Sequence, residues 1–329
     1  MPKQFIDPYG RVLSYLRLSV TDRCNFRCYY CMPEEGVNFV DRKQLLSYEE
    51  LEFLLDVFAE YGVNKVRITG GEPFVRRGLV DFLSRISQLK GLSEIAITSN
   101  GSLSFAQIDA LADMGIRSIN ISLDSLDKKR FFEITRRDKF DEVYASIMYM
   151  IGKGFEVKLN AVIADGKNTQ DILPFIELTK HHPVSVRFLE EMPFNGTGTF
   201  EVPTWNHVVI KGHILNHYPT MQRLTSEKSS TSVNYQIPGY QGTFGIIASY
   251  SRTFCGTCNR LRLSATGELR TCLYGAPALN LRDLLRSGAS RDEVVRELIL
   301  AVAKKEKDGF EAEAIQAQTP KKSMSFLGG

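Results

Sequence analysis

Between residues 15 and 190, six short runs alternate polar with apolar residues, and helical periodicity fills the chain between them. The runs are YLRLSV (15–20), KVRIT (65–69), EIAIT (94–98), SINISL (118–123), EVKLNAV (156–162) and VSVRFLE (184–190). Helices are predicted over about 48–61, 76–90, 104–114, 127–152 and 168–182. Ser47 and Glu50 have the spacing of a capping box at the first of them. Strands and helices alternating at this spacing require crossover connections, and so a parallel sheet with helices laid against it. Six units fall short of the eight of a closed barrel. The expected fold class is α/β: a partial (β/α)6 TIM-type barrel with a smaller C-terminal α+β region.

Strands buried on both faces read as unbroken apolar runs, and these do not. Arg17 and Ser19 oppose Leu16, Leu18 and Val20. Lys65, Arg67 and Thr69 oppose Val66 and Ile68. Ser118, Asn120, Ser122 and Asp124 oppose Ile119, Ile121 and Leu123. Lys158 and Asn160 oppose Val157 and Leu159, and Ser185 and Arg187 oppose Val184, Val186 and Phe188. Either the polar face is simply wet, or the crossover helices cover the apolar face and the polar stripes line a concavity. The second reading is the one expected here, and its cations suit a polyanion.

After residue 190 the texture changes. Residues 193–275 are rich in Gly, Thr, Ser and Pro and read as short strands and loops. A helical piece is expected at about 280–306, and 311–325 reads as irregular. The expected organisation is 1–192, 193–310 and a tail over 311–329 that ends in Gly328 and Gly329. A net charge of +3 on 329 residues is too slight for a general nucleic-acid surface. No run of eighteen apolar residues and no signal core occur, so a cytoplasmic protein with reduced thiols and no membrane partner is expected.

Six cysteines fall into two trios: Cys24, Cys28 and Cys31, then Cys255, Cys258 and Cys272. Four thiols complete a zinc site or a common iron–sulfur cluster, whereas three leave one metal position open. Zinc completed by one of the five histidines (181, 182, 207, 213, 217) fits the same count, as does a plain electron-transfer centre. Arg260 and Arg262 lie between the second and third thiols of the later trio, which sets cations beside an open position.

C-x3-C-x-Y-C after the first strand, with Tyr30 before Cys31, and TGGEP (69–73) after the second strand resemble the radical S-adenosylmethionine enzymes. That resemblance implies a [4Fe–4S] cluster on Cys24, Cys28 and Cys31 whose open iron chelates S-adenosylmethionine. FCGTCNRLRLSATGELRTCLY (254–274), DPYGR (7–11), ITRRDKF (134–140) and the Gly-Gly end further resemble the GTP 3′,8-cyclase family of molybdenum cofactor biosynthesis. The likeness runs over nearly the whole chain and is weakest at about 193–245. It implies a second [4Fe–4S] cluster on Cys255, Cys258 and Cys272 that contacts the guanine of GTP. It implies S-adenosylmethionine contacts at Tyr30, Gly70, Gly71, Glu72, Ser122 and Met192. GTP contacts are implied at Arg17, Arg67, Thr98, Lys158, Arg260, Leu261 and Arg262, with catalytic roles for Arg17, Arg260 and Arg262. A 5′-deoxyadenosyl radical would take hydrogen from ribose C3′, and the new radical would attack guanine C8. The implied partners are a flavodoxin or ferredoxin reductant, cyclic pyranopterin monophosphate synthase as recipient of the product, and a second copy in a homodimer. The cationic sulfonium is expected near Glu72 and Asp124. The tail is expected to reach toward the active site. Phe326 and the segment EEMPFNGTGTF (190–200) depart from the family pattern.

Overall fold

The computed structural model describes residues 3–33, 37–194, 200–316 and 323–327. In chain order it opens with β1 (Tyr15–Ser19), α1 (Tyr48–Glu60), β2 (Lys65–Thr69), α2 (Leu79–Ile86), β3 (Glu94–Ser99), α3 (Phe105–Asp113) and β4 (Ser118–Ser122). Next come α4 (Lys128–Thr135), α5 (Phe140–Gly152), β5 (Glu156–Ile163), α6 (Ile172–His181), β6 (Ser185–Glu190) and α7 (His207–His217). Strands β7 (Gln222–Arg223), β8 (Ser232–Gln236), β9 (Thr243–Ile247), β10 (Arg260–Leu263), β11 (Glu268–Arg270) and β12 (Leu279–Asn280) follow. Four helices close the order: α8 (Leu281–Arg286), α9 (Arg291–Val302), α10 (Gly309–Ile315) and α11 (Met324–Leu327).

The chain forms two compact units. The first comprises Met1–Asn25, Val37–Ile97 and Cys255–Gly329; the second comprises Phe26–Gly36 and Thr98–Phe254. In the first, β1 pairs in parallel with β2 on one side and with β10 on the other. β2 continues in parallel to β3, while β10, β11 and β12 run antiparallel. In the second, β4, β5, β6 and β9 are parallel neighbours, and β8 and β7 add antiparallel edges.

All six predicted strands are present, with the predicted faces. Leu16, Leu18, Val66, Ile68, Ile121, Leu159, Val186 and Phe188 have no exposed surface. Along β5 the buried positions alternate with half-buried Lys158, Asn160 and Val162. At about 25 cal/mol per Å2, each sealed Leu or Ile contributes roughly 2 kcal/mol before entropy is counted. Ser47 caps α1 as expected, accepting from the Glu50 amide while Glu50 returns the bond.

The helix expected over 127–152 is two helices. Arg136 ends α4 in the left-handed region at φ 54°. The helix expected over 280–306 is likewise split, with Gly288 at φ 86° ending the turn after α8. The helix expected over 76–90 shortens to Leu79–Ile86, behind a 3-10 turn at Pro73–Val75. Residues 311–325, expected to be irregular, include the end of α10 and the start of α11. α7, β9 and β10 arise in the stretch that reads as loops and short strands, and both strands join the parallel system.

Candidate active site

The second unit holds Cys28 and Cys31 on a tight turn, in which the amides of Cys31 and Met32 both donate to the Cys28 carbonyl at 3.0 and 2.9 Å. The ITRRDKF segment braces that turn. The Arg27 and Tyr29 amides donate to the carbonyls of Thr135 and Ile134, and Arg136 donates to the Arg27 carbonyl at 3.2 Å. The helix break at Arg136 therefore serves the thiol loop. Tyr30 donates its hydroxyl to Asp124 at 2.7 Å, and the Val162 amide donates to the other Asp124 oxygen at 2.8 Å. Burial raises Asp124 to about 6 and drives the Tyr30 phenol well up. Met192 is half-buried, and its carbonyl accepts from the Phe194 amide.

Cys24 belongs to the first unit, where the TDR residues before it are lashed to TGGEP. The Gly71 amide donates to the Thr21 carbonyl and the Glu72 amide to the Arg23 carbonyl, both at 2.8 Å. A Cβ on Gly71 would stand 2.4 Å from the Arg23 carbonyl oxygen, and one on Gly70 2.7 Å from that of Thr21. The chain's own backbone thus already excludes side chains at both glycines. Glu72 is buried and caps the Pro73–Val75 turn by accepting from the Phe74 amide. Asp124 and Glu72 lie in different units.

The second trio lies wholly in the first unit. Cys255 opens a 3-10 turn, Cys258 directly follows it, and Cys272 follows β11. Two cations absent from the sequence expectations hold this region. Arg11 binds the Asp7 carboxylate through Nε and donates to the carbonyls of Cys255, Glu306 and Lys307 at 3.2, 2.7 and 2.7 Å. This is the physical content of DPYGR. Buried Lys305 donates to the carbonyls of Thr271 and Arg260. Burial alone would raise the Cys258 thiol, but the charges of Lys305, Arg260 and Arg262 outweigh it and leave the thiol lowered. Burial raises Cys272. None of the six cysteines forms a disulfide. Three thiols, one already pulled toward thiolate, suit an iron–sulfur cluster. Among the described residues no three His, Cys, Asp or Glu side chains converge as a single metal ion would need. A cubane's ligands sit at separate corners and need no such convergence.

Strand register turns the polar face of the first unit into two rows. Arg17 lies opposite Arg262 on β10 and Arg67 on β2. One step earlier, Tyr15 lies opposite Arg260 and Lys65. Three adjacent parallel strands, about 4.8 Å apart, thus present Arg262, Arg17 and Arg67 side by side. Burial lowers Arg17 to about 9, and the other arginines push the same way. Burial also lowers Arg262. Arg17 Nε, Arg262 Nη1 and Thr69 Oγ1 are buried without hydrogen-bond partners. A row of desolvated like charges with unmet donors is costly by itself, and fits an anionic ligand. Leu261, between the two β10 arginines, has its side chain fully buried on the opposite face, so only its main chain is available to a ligand.

In the second unit Ser122 lies opposite Asn160, which lies opposite Arg187; Lys158 stands between Asn120 and Ser185. The side-chain oxygens of Thr98, Ser118, Asn120 and Asn160 are buried without partners. Lys158 has a long ion pair to Glu156 at 3.6 Å. Gly328, Gly329 and residues 195–199 lie outside the described residues.

Residues 18–179 match the Radical SAM superfamily model, and residues 184–311 match Molybdenum Cofactor Synthesis C. The structure of Streptococcus suis SuiB bound to precursor peptide SuiA aligns over 95% of this chain and 76% of that one, with a TM-score of 0.64 at 14% identity. A likeness at that identity shows the fold alone; the family match over residues 18–179 and the thiol motif within it define a chain of the radical SAM class. The mitochondrial GTP 3′,8-cyclase of Arabidopsis thaliana is 41% identical over 98% of this chain and 83% of its own length. Molybdenum cofactor biosynthesis protein 1 of Bos taurus is 42% identical over 92% of this chain, which spans about half of that longer protein (48%). The chain belongs to the GTP 3′,8-cyclase family. Among the described residues no helix is long and apolar enough to cross a membrane.

Proposed function

We propose that this chain converts GTP to its 3′,8-cyclised dihydro form, the first step of molybdenum cofactor biosynthesis. The observation that carries the reading is the Arg262–Arg17–Arg67 row across β10, β1 and β2, whose Arg262 lies on the strand that leads away from Cys255 and Cys258. When bound, the [4Fe–4S] cluster of Cys24, Cys28 and Cys31 supplies the electron that cleaves S-adenosylmethionine to a 5′-deoxyadenosyl radical.

The chain's own residues position and desolvate. Arg17, Arg67, Arg260 and Arg262 offset the nearly four negative charges of GTP, with the Leu261 main chain, Thr98 and Lys158 as further contacts. Cys255, Cys258 and Cys272 hold the second cluster at the guanine. Tyr30, Gly70, Gly71, Glu72, Ser122 and Met192 hold S-adenosylmethionine. Arg17, Arg260 and Arg262 carry catalytic weight by fixing the nucleotide, since a misplacement near 1 Å costs on the order of a hundredfold. In functional terms the chain divides at 192 and 310. A flavodoxin- or ferredoxin-type reductant, a synthase that takes the product on to cyclic pyranopterin monophosphate, a homodimer and a cytoplasmic location complete the reading.

The test is anaerobic reconstitution followed by incubation with GTP and S-adenosylmethionine. About eight irons per chain, 5′-deoxyadenosine and a cyclised GTP of unchanged triphosphate content are expected. Protein loaded with both clusters that leaves GTP untouched overturns the reading.

A further inference from the structure

Tyr15 stands inside the cation field, and the reaction as described gives it no task. Its hydroxyl oxygen accepts from Arg67 Nε at 2.7 Å. Arg67 Nη1 is held by the Ile97 carbonyl at 3.0 Å, so these two bonds fix its guanidinium. The Arg260 guanidinium lies 5.7 Å from the Tyr15 ring centroid and the Lys65 ammonium 5.3 Å from it. Both are its register partners on the flanking strands. The charged groups around it are therefore Arg17 on its own strand, Lys65 and Arg67 on β2, and Arg260 and Arg262 on β10. Glu94 on β3 is engaged with Lys65 at 2.7 Å. The largest charges acting on Arg17 are those of Tyr15 and of the three arginines Arg262, Arg67 and Arg260.

We propose that Tyr15 is the internal counter-anion of the arginine row and a positioning residue for the nucleotide. Its oxygen holds Arg67 and shares the cationic charge, and wherever the free site is phenolate it takes up one proton from solvent when the ligand's phosphates arrive. This rests on the reading of the row as a GTP site.

Burial by itself would raise the phenol, but the charges of Arg67, Arg17 and Arg260, with the Arg67 hydrogen bond, overcome it and bring the group to about 8. Near that pH a free site is half phenolate. The sign follows: a phenolate opposes a polyanion, so affinity is full below pH 8 and falls above it, by up to about tenfold per pH unit.

The test compares intact, cluster-loaded protein with Tyr15→Phe. Without ligand, tyrosinate absorbance should show one group forming near pH 8 in the parent and not in the variant. Inorganic triphosphate, which is transparent in that range, should reverse the signal at pH 8.5 in the parent; this arm needs no variant to fold. The GTP dissociation constant should weaken roughly tenfold from pH 7 to 9 in the parent and by less than about threefold in Tyr15→Phe. Identical tyrosinate titrations in the two proteins, or no response to triphosphate, overturn the proposal. Parent protein that never binds GTP overturns the GTP reading instead, while the absorbance titration still judges whether Tyr15 ionises.

Discussion

The Tyr30 hydroxyl and the Asp124 carboxylate are 2.7 Å apart, and that bond ties the residue next to Cys31 to the segment just after β4. Burial holds Asp124 at about 6 against an ordinary 3.8. The unfolded chain therefore gives up this proton between about pH 4 and 6 while the folded chain keeps it. The contribution to stability is greatest below pH 4, shrinks as pH rises to 6, and is level above, a swing on the order of 3 kcal/mol. Asp124→Asn should abolish the swing. Urea denaturation of cluster-free protein at pH 4.5 and 6.5 reads it, and an equal pH slope in parent and variant refutes it.

Arg11 and Lys305 should govern retention of the second cluster. Arg11→Ala strands three carbonyls, each an unmet acceptor worth about 1–3 kcal/mol where water cannot reach it. Lys305→Met removes the cation behind Cys258 and frees the Thr271 and Arg260 carbonyls. Iron per reconstituted chain is expected to fall from about eight toward four in both. Arg11→Lys should not restore it, because one ammonium cannot replace a guanidinium fork that spans a carboxylate and three carbonyls. Full iron content in Arg11→Ala counts against the bracing role.

Two glycine substitutions should have opposite signs. Gly71→Ala places a methyl 2.4–2.8 Å from backbone atoms of Asp22 and Arg23, which cannot move without shifting Cys24. A loss of roughly 3 kcal/mol or more and a missing first cluster are expected. Gly212 in α7 has open space around its Cβ position and an ordinary helical backbone. Gly212→Ala should stabilise by about 0.5–1 kcal/mol. Chemical denaturation ranks them, and a tolerated Gly71→Ala removes the packing argument.

Removing a charge from the arginine row should separate folding from function. Arg17→Met relieves like-charge repulsion and a buried guanidinium with an unpartnered Nε. The variant should unfold at higher denaturant, by about 1–3 kcal/mol, while GTP affinity drops at least tenfold. A destabilised Arg17→Met would show that the row is structural.

Strand faces were legible because a period of two survives any tertiary context: Leu16 and Leu18 declare one side, Arg17 and Ser19 the other. The thiol trios were legible because ligand spacing is local. Register is not local. Nothing in RLR at 260–262 says that it lies level with YLR at 15–17, so the arginine row and the place of Tyr15 needed the fold. The left-handed Arg136 was hidden for a similar reason, since its conformation is repaid by a bond to the Arg27 carbonyl 109 residues away. β9 reads TFGII, which does not alternate, β10 has only four residues, and the parallel partners of both lie far off in sequence. The roles of Arg11 and Lys305 were hidden because both act on main-chain carbonyls, which leave no mark in the side-chain pattern.

The pairing of β1 with β10 joins segments about 245 residues apart. During synthesis the hydrogen-bonding edge of β1 that will meet β10 stays bare until about 245 further residues have left the ribosome. This unit cannot be completed early and then decorated. Its first strand waits for nearly its last, which makes production at low temperature, or with a holdase present, the condition under which this chain should accumulate in native form.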